Sequence, residues 1–508
     1  MLSGSDILNA ALAVLPIFIM LAALLLLKIP LHLASAFAFI ACLVLAPWNW
    51  GMTPDNLADA LAEGIFLAFC PVIWVIFSAL FTYNLSIKNG GMNILRGMLS
   101  AVSDDKSMQA LLIAFAFGGF LEAVAGFGTA VAIPAGILAA LGFEPLFAAI
   151  LCLVSNTVPV AFGVVGVPII TLSNVSEMPL ADLSLAASLQ LLPLAAALPC
   201  ILVFMVGGGA KKVKEALVPA LLSGLAFGLI QMAAAVFLAV ELAAVTGSLA
   251  AFLTLYSYCR MQPKKPVAAR DAITSRQAFM SLGSYIIILA LVLATSLIPQ
   301  ISFLKEGRFV FRHQFYIAEG GSQQSFALLT NPGTLFFIAG LAGASLYKMS
   351  LREILDALRG TTKQISHSAF AIILILCIAR IMFHAGMVSY IAELLAASGP
   401  LFPAISPLLG ALGTFITGSD TSSNVLFGAL QRQTALQTGA NAAWIVAANA
   451  SGATIGKMLS LQSISIACAS IHLKGAESRL LKRTAKIALI MALSLSVIVF
   501  AGNLIYPA

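Results

Sequence analysis

The chain has 508 residues, of which 61% are hydrophobic and 9% charged, with a formal net charge of +7. A soluble globular chain carries about 25% charged residues, which excludes that class, and no basic face or basic-aromatic interleaving supports a nucleic-acid partner. Many apolar runs reach the roughly 20 residues that a bilayer-crossing helix needs, so the composition defines an all-α polytopic membrane protein.

In chain order, the pattern predicts spans at about Ile7–Leu27, Leu31–Trp50 and Ile65–Tyr83. Trp48 and Trp50 suit an interfacial belt. No small-residue cleavage site follows the first run, so it reads as a span and not as a signal peptide. After an amphipathic piece near Asn93–Val102 comes a stretch from Lys106 whose only charge before Glu144 is Glu122. Its core, Gly118 to Thr129, is apolar yet interrupted by glycines. Lipid tolerates such backbone only where it is buried in protein or lines a cavity, so a re-entrant hairpin is expected there. A helix from about Glu144 should break at Asn156, Thr157, Val158 and Pro159 and resume towards Ile170.

Spans near Leu183–Val206, Ala216–Val240, Ala243–Tyr258 and Phe279–Ile298 follow, then a polar loop Lys305–Gln324 and a span Thr334–Tyr347. Beyond a basic loop Lys348–Lys363 the pattern predicts a span Ala369–Tyr390, a Pro/Gly-rich hairpin Gly399–Leu430 and a broken helix Ala442–Ile471. A basic loop from Lys474 to Lys486 precedes the final span to Ile505. With the basic segments at Lys28, Lys88–Lys106, Lys211, Lys264, Lys348 and Lys474 all cytoplasmic, as the positive-inside rule asks, both termini fall outside. The seven cysteines form no paired metal spacing and read as helix-packing residues.

An internal repeat underlies this order. Gly91 and Met92 recur as Gly386 and Met387, and at the same spacing Gly118 matches Gly413 and Phe120 matches Phe415. After a small gap Asn156 matches Asn449 and Gly163 matches Gly456. The basic segments put the halves in opposite orientations, so the expected architecture is two inverted-topology repeats with re-entrant hairpins and broken helices. Residues 1–206 form the first repeat, 207–277 two linking spans and a basic cytoplasmic loop, and 278–508 the second. In such transporters paired discontinuous segments meet near the midplane around the substrate.

Ionisable groups inside a membrane cost roughly 2.5–3.5 kcal/mol each on insertion scales and mark candidate sites. Glu122 could couple a proton, bind a cation or form an ion pair. Asp420 sits among Thr417, Ser419, Thr421, Ser422, Ser423 and Asn424, a polar density foreign to a lipid-facing helix. Arg380 can hold a carboxylate bidentately, that of substrate or of Asp420 or Glu122. His384, one turn later on the same face, could relay protons. Lys457 is the only Lys or Arg between Arg432 and Lys474 and could neutralise an anionic substrate. Ser155, Asn156, Thr157, Asn449 and Ser451 fall at the expected helix breaks, where amides and helix N-termini can replace an anion's hydration.

At these residues the chain resembles the bacterial L-lactate permeases, which include glycolate permeases, over most of its length. The resemblance rests on Phe120-Leu121-Glu122, Ala125 to Thr129, Ala161 to Gly163 after Asn156-Thr157, Gly418 to Asn424, and Gly456-Lys457-Met458 with Gln462-Ser463. It implies a permease of the bacterial cytoplasmic membrane that takes up L-lactate or a related 2-hydroxy monocarboxylate by proton symport. Ala130 and Leu461 stand where the family usually has Pro. Arg380 and His384 stand at positions that are more often uncharged, and an added cation suits a bulkier or more acidic anion.

The expected function is therefore secondary transport of a small organic anion. Asn156, Thr157, Ser155, Asn449, Ser451, Lys457, Arg380, Thr421 and Ser422 would contact substrate, and Glu122, Asp420 or His384 would couple the ion. Sodium coupling remains the alternative, because Ser/Asn/Thr clusters also suit hard cations, and a non-transporting sensor or assembly subunit is the alternative of another class. No cofactor or metal is implied. An enzyme would need a nucleophile-base set or metal cluster, whereas His32, His313, His367 and His472 are scattered. Analogy with other transporters suggests a homodimer.

Overall fold

The structure, a computed structural model, describes residues 4–262, 309–315 and 324–506 apart from positions 28, 92–93, 95–96, 99–101, 127, 208, 472 and 474–475, together with short pieces between 283 and 295. Part of the expected span Phe279–Ile298 and most of the basic loop after Arg260 lie outside the described residues.

Three helices open the chain: α1 (Gly4–Leu25), α2 (Leu31–Trp50) and α3 (Pro54–Leu67). Thr53 caps α3 by accepting from the Asn56 amide, with Pro54 in the first turn, where its missing N–H costs nothing. A wide-turn segment, Ala68–Ile73, is kinked at Cys70, the residue before Pro71, where proline disfavours helical backbone. It leads into α4 (Trp74–Lys88). The third span thus begins at Pro54, about eleven residues earlier than the hydropathy suggests, and brings Glu63 into a buried segment.

The first hairpin follows as α5 (Lys106–Val124) and α6 (Thr129–Ala140). Then α7 (Pro145–Ser155) and α8 (Gly163–Ser176) form the first broken helix, bent by 64° across a single-turn piece at Val160–Phe162. Three long helices come next: α9 (Leu180–Val206), α10 (Ala210–Phe237) and α11 (Ala243–Met261). The loop from Lys305 to Gln324 contributes to an antiparallel pair, β1 (Val310–His313) with β2 (Gln324–Ala327), which hydropathy does not announce.

After α12 (Pro332–Leu346), helix α13 runs from Leu351 to His384. The expected basic loop Lys348–Lys363 is therefore mostly helix. Ser350 and Glu353 form a reciprocal capping box that starts α13, and its 34 residues span about 50 Å, longer than the hydrocarbon needs. The chain closes with α14 (Met387–Ala396), the second hairpin of α15 (Phe402–Thr417) and α16 (Asp420–Thr438), the second broken helix of α17 (Ala442–Leu459) and α18 (Leu461–Ser470), and α19 (Glu477–Ile505). The basic residues from Arg479 to Lys486, expected in a loop, form the first turns of α19.

Among the described residues nine helices are long and apolar enough to cross a membrane, or ten if the bent pair counts as one span. The chain is an all-α multi-pass membrane protein. Hairpin, broken helix and long helix occur in the same order in both halves. The outer piece of each broken helix packs on the hairpin of the other half, α8 against α16 and α18 against α6.

One expectation needs correcting. The second break falls at Ser460, whose backbone is extended (φ −61°, ψ 135°) and whose hydroxyl accepts from the Ser463 amide. Asn449 and Ser451 therefore sit inside α17 and not at a break. Nothing in their neighbourhood interrupts the helix, whereas Ser460 offers the amides beyond it a competing acceptor.

Candidate functional site

Both hairpins turn through glycines in the left-handed region, Gly128 at φ 84° and Gly418 at φ 74°, where a Cβ would be strained. Space forbids one as well: a Cβ would meet Ile466 at Gly128 and Gln462 at Gly418. The two tips thus lie against one face of α18. Past Gly418 the chain enters α16 with Ser419 as N-cap, its hydroxyl accepting from the Ser422 amide at 3.2 Å. The Thr417 hydroxyl donates to the Ser419 carbonyl at 3.0 Å. Such capping aims the free amides and positive end of α16 at the tip.

A cavity of about 70 Å³ lies between these elements, room for several waters or a small solute. Its lining includes Glu122, Asp420 and Lys457 with Thr421, Ser422, Gln462 and Ser463. Lys457 Nζ is 3.9 Å from Glu122 Oε1, and Asp420 interacts electrostatically with both. Glu122 Oε2 and both Asp420 oxygens are buried with no hydrogen-bond partner in the protein. Unpartnered oxygens at such depth are costly unless water, a proton or a ligand meets them. The lining thus brings together five sequence-expected residues, Glu122, Asp420, Lys457, Thr421 and Ser422.

The other expected residues lie outside this lining. Ser155, Asn156 and Thr157 are buried at the first break, where Ser155 Oγ and Asn156 Oδ1 have no partner and Thr157 Oγ1 donates to the Val154 carbonyl at 2.8 Å. Ser451 is buried in α17 with its hydroxyl unpartnered. Asn449 belongs to an amide chain: it accepts from Gln431 Nε2 at 3.0 Å and donates to Asn424 Oδ1 at 2.9 Å. Asn424 in turn donates to the Pro168 carbonyl at 3.0 Å. This chain ties α17 to α16 and α8.

Arg380 and His384 face a different partner, Glu63. His384 Nε2 lies 2.6 Å from Glu63 Oε2, and Arg380 Nη2 lies 3.6 Å from Glu63 Oε1, which also accepts from Gln324 at 2.8 Å. Arg380 Nη1 is 3.7 Å from Glu177, which pairs with Arg432 at 3.4 Å. The expected pairing of Arg380 with Asp420 or Glu122 is thus replaced by a separate cluster. Glu63 is not among the residues the sequence singles out, because hydropathy puts the start of its span at Ile65. The signal available was Thr53-Pro54, a helix start eleven residues earlier.

A polytopic helical protein with two facing hairpin tips and a charged cavity between them belongs to the class of membrane permeases. The comparisons with known proteins give the family. The L-lactate permease family model matches residues 9–506, and the chain belongs to that family. An L-lactate permease of Streptococcus iniae is 35% identical over 86% of this chain and 93% of its own length. The glycolate permease GlcA of Escherichia coli is 33% identical over 98% of this chain and 97% of its own. Among solved structures, Neisseria gonorrhoeae MtrF covers 86% of this chain and 82% of its own with a TM-score of 0.47 and 13% identity, too distant to argue from.

Proposed function

We propose that the chain imports L-lactate or a related 2-hydroxy monocarboxylate such as glycolate together with a proton. The observation that carries this reading is the charge count of the cavity: one ammonium, Lys457, faces two carboxylates, Glu122 and Asp420. Uncompensated charge is expensive at this depth, so neutrality asks for one proton shared between the two carboxylates. A substrate carboxylate adds one negative charge. A second proton on the pair restores neutrality, and binding of anion and proton become one event with a ratio of one to one.

In this reading Lys457 receives the substrate carboxylate. The N-terminus of α16, with Thr421 and Ser422, supplies donors to its carboxylate or hydroxyl. Glu122 and Asp420 carry the proton. Residues 1–206 and 278–508 act as the two inverted repeats, joined by 207–277, and the exchange of α8 and α18 between hairpins supports that division. Asn449 and its amide neighbours hold the frame of the site.

Reconstitution in liposomes tests the proposal, with uptake of L-lactate, glycolate and dicarboxylates driven separately by a pH gradient and a sodium gradient. Uptake with the pH gradient alone is the expected result. Uptake that needs sodium and ignores pH would replace the proton by sodium, for which the unpartnered Asp420 oxygens among hydroxyls are suitable ligands. No flux of any solute would return the chain to a sensor or assembly role.

A further inference from the structure

A second cavity, about 280 Å³, lies further along α8 than the charged one. Val167 lines both, and it is the one residue their described linings share. On the second cavity's side α8 presents Val167, Thr171 and Asn174 at helical spacing, spread over about 10 Å of helix. Gln324 and Asn331 face them from β2 and the start of α12, and Glu241 from the turn between α10 and α11.

The helices that frame this cavity give its side of the membrane. α10 begins with Lys211, Lys212 and Lys214, α11 ends at Arg260, and α12 ends just before Lys348. Each has its basic end away from the turn or strand that lines the cavity, so by the positive-inside rule the cavity lies at the outer end. The charged cavity is lined by Leu31, three residues after Lys28, and by α18, which leads to Lys474. It lies towards the inner end.

Two observations mark the second cavity and its wall as more than packing space. Thr171 Oγ1 is buried there with no protein partner, a hydroxyl that needs water or a ligand. Just before Val167, the residue the two linings share, Val164 and Val165 both lie in the left-handed region, φ 42° and 60°, a conformation that β-branched residues adopt only under constraint. The shared residue thus follows directly on a strained start of α8.

We infer that the second cavity is the outer half of the solute path, an anteroom where a small hydroxycarboxylate rests on the Thr171 hydroxyl and the Asn174 and Asn331 amides before the start of α8 at Val167 moves aside. The ligand class rests on the proposed function; the outer path does not. Neutral donors, with the Glu241 carboxylate also in the lining, hold the anion weakly enough to let it go on, and Lys457 in the inner cavity supplies the stronger contact.

Thiol labelling tests this. Asn174→Cys is exposed in intact cells to an anionic, membrane-impermeant thiol reagent, with modification read by peptide mass and uptake measured afterwards. Ile170→Cys, which lines the same cavity, serves if the first variant does not fold. Ser463→Cys marks the inner cavity, and the wild type sets the background of the native cysteines. The expected result is labelling of the outer variants in cells with loss of uptake, slowed by excess L-lactate or glycolate, and labelling of Ser463→Cys only in inverted vesicles. Outer variants labelled only in inverted vesicles, or from neither side, would overturn the outer path. Labelling indifferent to both carboxylates would overturn the anteroom. A wild type with no carboxylate uptake would defeat the proposed function alone, because the sidedness of labelling is read without transport.

Discussion

Replacing Lys457 by Gln separates substrate recognition from stability. The side chain is 12% exposed and its ammonium lies 3.9 Å from Glu122 Oε1. At an effective dielectric constant of about 20, that pair is worth roughly 4 kcal/mol of Coulomb energy before desolvation. A carboxylate left unpaired at this depth escapes the penalty by taking a proton, so Lys457→Gln should fold. The incoming substrate carboxylate has no such escape, because it meets a site without its cation. Truncating one partner of a buried charge pair costs about 2–5 kcal/mol, which corresponds to a KM for L-lactate raised by roughly 30-fold or more. The assay is counterflow exchange in proteoliposomes over a range of L-lactate, with a melting curve in detergent as the control for folding. Lys457→Gln with Glu122→Gln should melt like the wild type and remain defective in KM. A Lys457→Gln protein with wild-type KM and rate would refute the reasoning, since the cavity's cation would then have no part in holding the anion.

Replacing both carboxylates, Glu122→Gln with Asp420→Asn, should abolish accumulation driven by a pH gradient while leaving exchange of labelled for unlabelled L-lactate, measured as counterflow, because fixed neutral groups beside Lys457 still let the anion bind but cannot carry or return a proton. Glu63→Gln leaves the buried Arg380 guanidinium with Glu177 as its remaining carboxylate among the described residues, beside the Asn174 carbonyl; breaking a buried pair costs about 3–5 kcal/mol, so the melting temperature in detergent should fall markedly. Asn449→Ala takes one acceptor from Gln431 Nε2 and the donor from Asn424 Oδ1, at about 1–3 kcal/mol. It should lower stability with the KM of the remaining folded protein unchanged, whereas a raised KM would return Asn449 to the substrate.

The sequence carries much of this protein because the bilayer leaves few choices. Backbone groups in lipid must be satisfied within a helix, so apolar runs of sufficient length read directly as spans, and α2, from Leu31 to Trp50, falls where hydropathy puts it. The hairpin turns are equally legible, since Gly128 and Gly418 interrupt apolar sequence for a conformational reason that composition reveals. The second break was misplaced because Asn449 looks like a counterpart of Asn156, while the feature that ends α17 is the capping hydroxyl of Ser460, one serine among many. The helical runs at the starts of α13 and α19 were hidden for a related reason: charged residues leave the membrane without leaving the helix.

By itself the sequence determined the class, the order of spans, the family, and a short roster of intramembrane charges. Only the tertiary structure decided how those charges divide. Glu122, Asp420 and Lys457 converge because both hairpin tips close on α18, while Arg380 and His384 are drawn to Glu63 by the packing of α13 on α3. Hydropathy registers whether a residue can bear the bilayer, and so it finds every charge that must be paid for. It does not register which other charge, hundreds of residues away, will stand within 4 Å, because that is fixed by helix packing, where shape and distance, not composition, select the partner.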